Sequence, residues 1–246
     1  MLDDNLVIAF IPARGGSKGL PGKNLMKIAG KSMIERAVAS ANDWISGSKV
    51  DVTVVSSDDE AVLAEAKAAG AVTFKRSEFA ASDEATAADV IRDYFGSPDV
   101  MIDLDGRDPW IVYLQPTSPA RTGLHVEEAF NMITPGVRSV VSVTTPEKSP
   151  YWTLNINERG QLTPLFPQAF EANRQSLQAA YIPNGAIYIF KLSDFTAAGA
   201  VPVTNAAVSQ GLAPRQGRAY RELFKLVRSV LTNGESDNTP DEAEDE

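Results

Sequence analysis

The sequence predicts an α/β fold built on an open, mostly parallel, Rossmann-like sheet. Three observations predict it. Short continuous apolar runs recur along the chain, stretches with helical periodicity separate them, and a glycine-rich loop follows the first run directly. Strands joined through intervening helices pair in parallel, because a parallel crossover needs a connection of that length.

Leu6 to Ile11 (LVIAFI) reads as a strand buried on both faces, ended by Pro12 and the glycine-rich loop. Met33, Ile34, Ala37, Val38 and Ala41 mark a helical stripe. Val50 to Val55 is the second strand. Asp58 to Ala69 opens on acids and ends at Gly70, which predicts a helix with a favourable macrodipole. Ala71 to Phe74 reads as a third strand, Thr86 to Phe95 as a helix, and Ile111 to Leu114 as a fourth strand stopped by Gln115-Pro116-Thr117-Ser118-Pro119. His125 to Ile133 is helical and Ser139 to Val143 is β-branched strand material. The alternation then breaks. Tyr151 to Asn157 and the stretch around Pro164 and Pro167 predict irregular or antiparallel structure, and Gly185 to Phe190 returns the chain to the sheet. The 246 residues thus divide into one expected domain over 1–232, with an excursion over about 145–178, and an acidic, disordered tail over 233–246.

Composition removes several chemistries. There is no cysteine, hence no disulfide, thiolate metal site or thiol nucleophile. His125 is the single histidine, which removes multi-histidine metal sites. The net charge of −9 is concentrated in the last twelve residues, which hold seven acids and no base; the remainder carries 25 acids against 23 bases. No basic stripe points to nucleic acid, and no apolar run approaches the ~20 residues of a membrane span. The start MLDDNL carries no positively charged leader, so the expected location is the cytoplasm.

The loop from Pro12 to Asn24 holds Gly15, Gly16, Gly19 and Gly22 with three cations, Arg14, Lys18 and Lys23. It falls beyond the carboxyl end of a strand, where open α/β sheets bind ligands. Its freed backbone N–H groups and its cations suit phosphate. It is not a Walker A loop, because Ser17 and Asn24 stand where glycine and a hydroxyl residue are required, and its glycines lack the GxGxxG spacing.

IPARGGSKGLPGKNL with IAGKSMIERAV resembles the amino-terminal signature of the acylneuraminate cytidylyltransferases, the CMP-sialic acid synthetases and their relatives. RSEFAASDEAT (Arg76 to Thr86), YLQPTSPARTG (Tyr113 to Gly123) and RQSLQAAYIPNGAIYIF (Arg174 to Phe190) extend the resemblance over roughly residues 6 to 190. It implies a nucleotidyltransferase fold whose excursion makes a homodimer contact. It also implies an enzyme that transfers CMP from CTP to a 2-keto sugar acid and releases pyrophosphate. Carried over by motif, Arg14, Lys18 and Lys23 are the charge-stabilising residues, and Ala13, Ser17, Asn24, Arg76 and Ser82 complete the CTP site. Gln115, Thr117, Ser118, Arg174, Asn184 and Tyr188 surround the sugar acid. Taken alone, Arg76 also reads as a surface partner of Glu78 or Asp59, and Ile187 and Ile189 read as core.

The resemblance implies magnesium, held in relatives by an Asp-X-Asp segment after the NGAIY strand. That segment is missing here. Asp237 and Asp241 form a distant echo inside the acidic tail, and the metal ligands stay unassigned. Two alternatives therefore stand beside the main reading: an octulosonic-acid cytidylyltransferase, and a non-catalytic nucleotide- or sugar-binding homologue.

Overall fold

Val7–Pro12 forms the central strand β1, and its alternation sets the layering. Val7, Ala9 and Ile11 face one core while Ile8 and Phe10 face the other. A strand covered on both faces has no use for polar residues, which is why its run is continuous. The structure, a computed structural model, describes residues 6–16, 20–45, 50–100, 102–203 and 206–209, with Trp44, Ile45, Arg174 and Ser209 described by their backbone alone.

After β1 come a small hairpin, β2 (Lys27–Ile28) and β3 (Lys31–Ser32), then α1 (Met33–Ile45), β4 (Val52–Ser57), α2 (Glu60–Ala68) and β5 (Val72–Lys75). The short helix α3 (Glu78–Ala81) and α4 (Ala87–Phe95) lead to β6 (Trp110–Tyr113), α5 (Gly123–Phe130) and β7 (Ser139–Thr144). The excursion contains β8 (Leu154–Ile156), β9 (Leu162–Pro164) and α6 (Pro167–Phe170). The chain returns through β10 (Ile182–Lys191), α7 (Leu192–Ala198) and β11 (Ala207–Ser209).

The main sheet has seven strands in the order β11-β7-β10-β6-β1-β4-β5. β1 pairs in parallel with both β4 and β6, β4 with β5, and β7 with β11; β10 is antiparallel to β6 and β7. The chain leaves β1 toward β4 and β5, then crosses back to β6 on the other side. That reversal opens a crevice beyond the carboxyl ends of β1 and β6.

One core joins the sheet to α1, α2 and α5 through Ile34, Val38, Val62, Val126 and Phe130. The other joins it to α4 and α7 through Ile91, Tyr94 and Phe195. Phe10 is its centre, fully buried, with its ring 5.3 Å from that of Tyr94 and 6.1 Å from that of Tyr113. Side chains cap the helices. Asp59 accepts from the N–H groups of Ala61 and Val62, and Thr86 and Asp89 form a reciprocal capping box on α4. The single histidine does the same work on α5, where its Nδ1 accepts from the Thr122 N–H at 3.1 Å.

The predicted strands and helices up to β7 are present, with ends shifted by at most four residues. Within residues 145–178, β8 and β9 form a separate two-stranded antiparallel sheet. Their surroundings expose Trp152, Leu154, Leu165 and Phe166, and Ile156 and Leu162 are each 66% exposed. The predicted strand at Gly185 begins earlier, at Ile182, and its register with β7 shifts between Pro183 and Tyr188. Among the described residues no helix is long and apolar enough to cross a membrane.

Removing the Phe10 ring leaves a void between β1, α4 and β6 that rigid neighbours cannot fill. Phe10→Ala is therefore expected to lower unfolding stability by about 3–5 kcal/mol, measured by urea denaturation. A loss below about 1 kcal/mol would show that this core repacks.

Candidate active site

A cavity of about 350 Å³ lies at the reversal point of the sheet. Pro12 at the end of β1, Tyr113 at the end of β6, and the loops that follow β1, β5 and β6 line it. Each loop is pinned to the sheet by backbone groups. The Ala13 N–H donates to the Ser56 carbonyl at 2.9 Å, so Ala13 is buried and its side chain faces the core. The Gly15 N–H donates to Asp58 Oδ1 at 3.0 Å. A Cβ on Gly15 would lie 2.7 Å from Asp59, so any side chain there would push the loop off α2. Asn24, buried, donates from Nδ2 to the Arg14 carbonyl at 2.8 Å and ties the far end of the loop to its near end.

The pinned loop presents Arg14 and Lys23 to the cavity. Burial, and then the neighbouring Arg14 charge, hold the Lys23 ammonium below the ordinary lysine range. Arg14 pairs with Asp83 at 2.7 Å, and both side chains are substantially exposed. An ion pair of that kind contributes ~0–1 kcal/mol, so a polyphosphate competes with Asp83 easily. Ser17 and Lys18 lie outside the described residues.

Arg76 forms the opposite wall. It is 7% exposed, donating from Nη2 to the Ser56 carbonyl and from Nη1 to the Ala80 carbonyl at 3.3 Å. It is therefore not a surface partner of Glu78 or Asp59, and burial pulls its pKa down. Its Nε and the Ser82 hydroxyl are buried without a hydrogen-bond partner. Both residues line the cavity. Unpaired buried polar atoms are costly, and a bound polar ligand is one way to satisfy them.

Gln115 and Thr117 line the side nearest β10. Ser118 does not line the cavity; its carbonyl accepts from the Arg121 N–H at 3.1 Å. Asn184 is turned into the sheet. Its Oδ1 accepts from the Ser142 hydroxyl and the Ala186 N–H, and its Nδ2 donates to the Val143 carbonyl. Tyr188 stands behind the wall with its ring edge-on to Tyr113 at 6.1 Å. Arg174 opens a short 3-10 turn, Arg174–Ser176. The structure thus gathers Arg14, Lys23, Asn24, Arg76, Ser82, Gln115 and Thr117 on one cavity, whereas Ala13, Ser118, Asn184 and Tyr188 support it from behind. Sequence reasoning gave no individual role to Asp83 or Tyr113. Both lie inside quoted motifs, and the need to balance Arg14 is the signal that points to Asp83.

The lining suits an anion. Asp83 is its one carboxylate, and Arg14 already holds it. Among the described residues no group of three or more His, Cys, Asp or Glu could hold a metal ion. These residues therefore do not fit a protein-held divalent cation, and Asp237 and Asp241 lie outside the described residues.

Residues 8–180 match the family described as "Cytidylyltransferase". The chain belongs to the cytidylyltransferase family. It is 34% identical over 183 residues to the N-acylneuraminate cytidylyltransferase of Streptococcus agalactiae serotype III, covering 74% of this chain and 42% of that protein. It therefore spans about two fifths of the length of the first such relatives. It is 33% identical over 192 residues to the CMP-N,N'-diacetyllegionaminic acid synthase of Legionella pneumophila, covering 74% of this chain and 77% of that one. Its fold is that of a solved CMP:2-keto-3-deoxy-manno-octonic acid synthetase complexed with CTP, at a TM-score of 0.55 and 19% identity, covering 92% of this chain and 87% of the other.

The depressed Lys23 pKa sets a pH dependence for this cytidylyltransferase cavity. An anion binds the protonated ammonium and raises its pKa toward or above 10.5, so binding takes up protons wherever free Lys23 is partly neutral. Affinity for inorganic pyrophosphate is expected to fall as pH rises through the free-state pKa of Lys23, beginning below 10.5. Calorimetry across that range checks it. Lys23→Arg is expected to flatten the decline, since a guanidinium stays charged there, and an equal decline in that variant would remove Lys23 from the anion site.

Proposed function

We propose that this chain transfers CMP from CTP to a 2-keto sugar acid and releases pyrophosphate. The observation that carries the reading is one cavity that combines Arg14 and Lys23 with the unsatisfied Arg76 and Ser82 atoms. The cations suit the triphosphate, and the two polar atoms suit the edge of a base. The similar N-acylneuraminate and legionaminic acid enzymes support a sugar acid as acceptor.

In this reading a sugar hydroxyl attacks the α-phosphorus, a new P–O bond forms, the bond to the bridging oxygen of pyrophosphate breaks, and the hydroxyl proton passes to water. Negative charge grows on the departing oxygens. Arg14 and Lys23, fixed in place before the reaction, stabilise that charge without reorganising. Lys18, and the hydroxyl of Ser17, join them from the same loop. Asn24 acts by closing the loop. Gln115 and Thr117 meet the acceptor, Arg174 is the candidate partner of its carboxylate, and Ser118, Asn184 and Tyr188 act by shaping that wall. Relatives of this kind generally use a divalent metal; magnesium here would be held chiefly by triphosphate oxygens and water, and no step is assigned to it. Domain 1–232 acts as one unit, and a second copy covers the exposed apolar hairpin β8–β9.

The deciding assay is pyrophosphate release from CTP and magnesium with a panel of 2-keto sugar acids. Turnover with a nine-carbon acid is expected. CTP bound without turnover on any acid would favour a non-catalytic homologue, and turnover confined to an octulosonic acid would move the chain to that neighbouring group. Arg14→Ala and Lys23→Ala are each expected to lower kcat/KM by about 2–4 kcal/mol of transition-state stabilisation; wild-type values would place them outside the site. For the dimer, light scattering at micromolar concentration should give twice the chain mass, and Ile156→Asp with Leu162→Asp should give the monomer. A monomeric wild type contradicts the assignment.

A further inference from the structure

Arg121 does not line the cavity, yet it connects two walls that meet there. It is 4% exposed and lies in the connection between β6 and α5. Its Nη1 donates to the Gln115 carbonyl at 2.9 Å and to the Ala186 carbonyl at 2.7 Å, while its Nε donates to Ser40 Oγ at 3.1 Å. The exit of β6, the bulge of β10 and helix α1 are thus held by one planar group. Ser40 is itself fixed, donating to the Ala37 carbonyl at 2.8 Å.

Among the described residues no carboxylate bonds this guanidinium, and its Nη2 has no hydrogen-bond partner. Burial alone draws its pKa down to about 9. A buried charge without a counter-charge is unfavourable for folding, so stability is a poor explanation for its presence. Its geometry offers a better one. Gln115 is constrained on three sides: Arg121 holds its carbonyl, its side chain meets the Tyr113 hydroxyl, and its Oε1 lies against Gly185. Gly185 has φ of 78°, and a Cβ there would come within 2.5 Å of that oxygen. The close approach of Gln115 to β10 therefore needs both the bare glycine and the clamp that draws the two carbonyls together.

We propose that Arg121 is the positioning residue for the acceptor side of the site: by bridging the Gln115 and Ala186 carbonyls it holds the Gln115 amide in one pose toward the sugar acid. The inference rests on the function proposed above. It separates two halves of the cavity, since nothing bonded to Arg121 lies on the Arg14, Lys23 or Arg76 side.

Arg121→Lys tests it, because an ammonium on a flexible stem cannot reproduce a rigid bridge to two carbonyls and a hydroxyl. The expected result is a rise of about tenfold or more in the KM for the sugar acid, with the CTP dissociation constant and kcat each within about threefold. If Arg121 acts through Gln115, the Arg121→Lys, Gln115→Ala double variant should match Gln115→Ala alone. Additive losses, a parallel loss of CTP affinity, or an unchanged sugar-acid KM would overturn the inference. Should Arg121→Lys fail to fold, Ser40→Ala removes the Nε anchor, together with the hydroxyl's bond to the Ala37 carbonyl within α1, and leaves both carbonyl bonds of Arg121 in place; it should raise the same KM by a few-fold, an unchanged value overturning the inference equally. A wild-type chain that neither turns over nor binds any panel acid overturns the proposed function and this inference together. Wild-type turnover with an unaltered KM in the variants overturns this inference alone.

Discussion

The parallel pairing of β1 with both β4 and β6 is the constraint on which the rest of the site depends. It sets three carboxyl ends side by side, and each releases a loop at the same edge. The Ser56 carbonyl at the end of β4 then accepts from both the Ala13 N–H and Arg76 Nη2. One oxygen therefore fixes the start of the glycine-rich loop and the arginine of the opposite wall. The two apolar faces of β1, buried in separate cores, stabilise the strand at the centre of that pairing.

Electrostatics follows from this placement. Arg14 and Lys23 follow β1 and Arg76 follows β5, on the two sides of β4, so they converge over its carboxyl end, and Lys23 and Arg76 are partly stripped of water as a result. Their depressed pKa values record strain that a bound anion relieves. Asp83 offsets Arg14 through an exposed pair. The cavity is thus poised for a charged ligand.

Much of this was legible in the sequence. The continuous run of β1 and the acids opening α2 are local signals, and local signals determined those elements. The loop motif likewise located Arg14 and Lys23. What was not legible is long-range. That β10 inserts antiparallel between β6 and β7 depends on pairing partners distant in the chain, which periodicity cannot identify. The hairpins β2–β3 and β8–β9 are too short to show a period. Asn184 looked like a ligand contact, but only the sheet reveals that Ser142, Val143 and Ala186 engage its amide. Arg121 gave no sign of burial, because an arginine in a loop normally faces water.

The proposed function requires one nucleotide site where the loops after β1, β5 and β6 converge. Hydrogen exchange with and without CTP tests it most directly. Protection on binding is expected in residues 12–24, 76–87 and 113–117, with the hairpin 154–164 unchanged. Protection absent from those three segments, or confined to the hairpin, would contradict the claim.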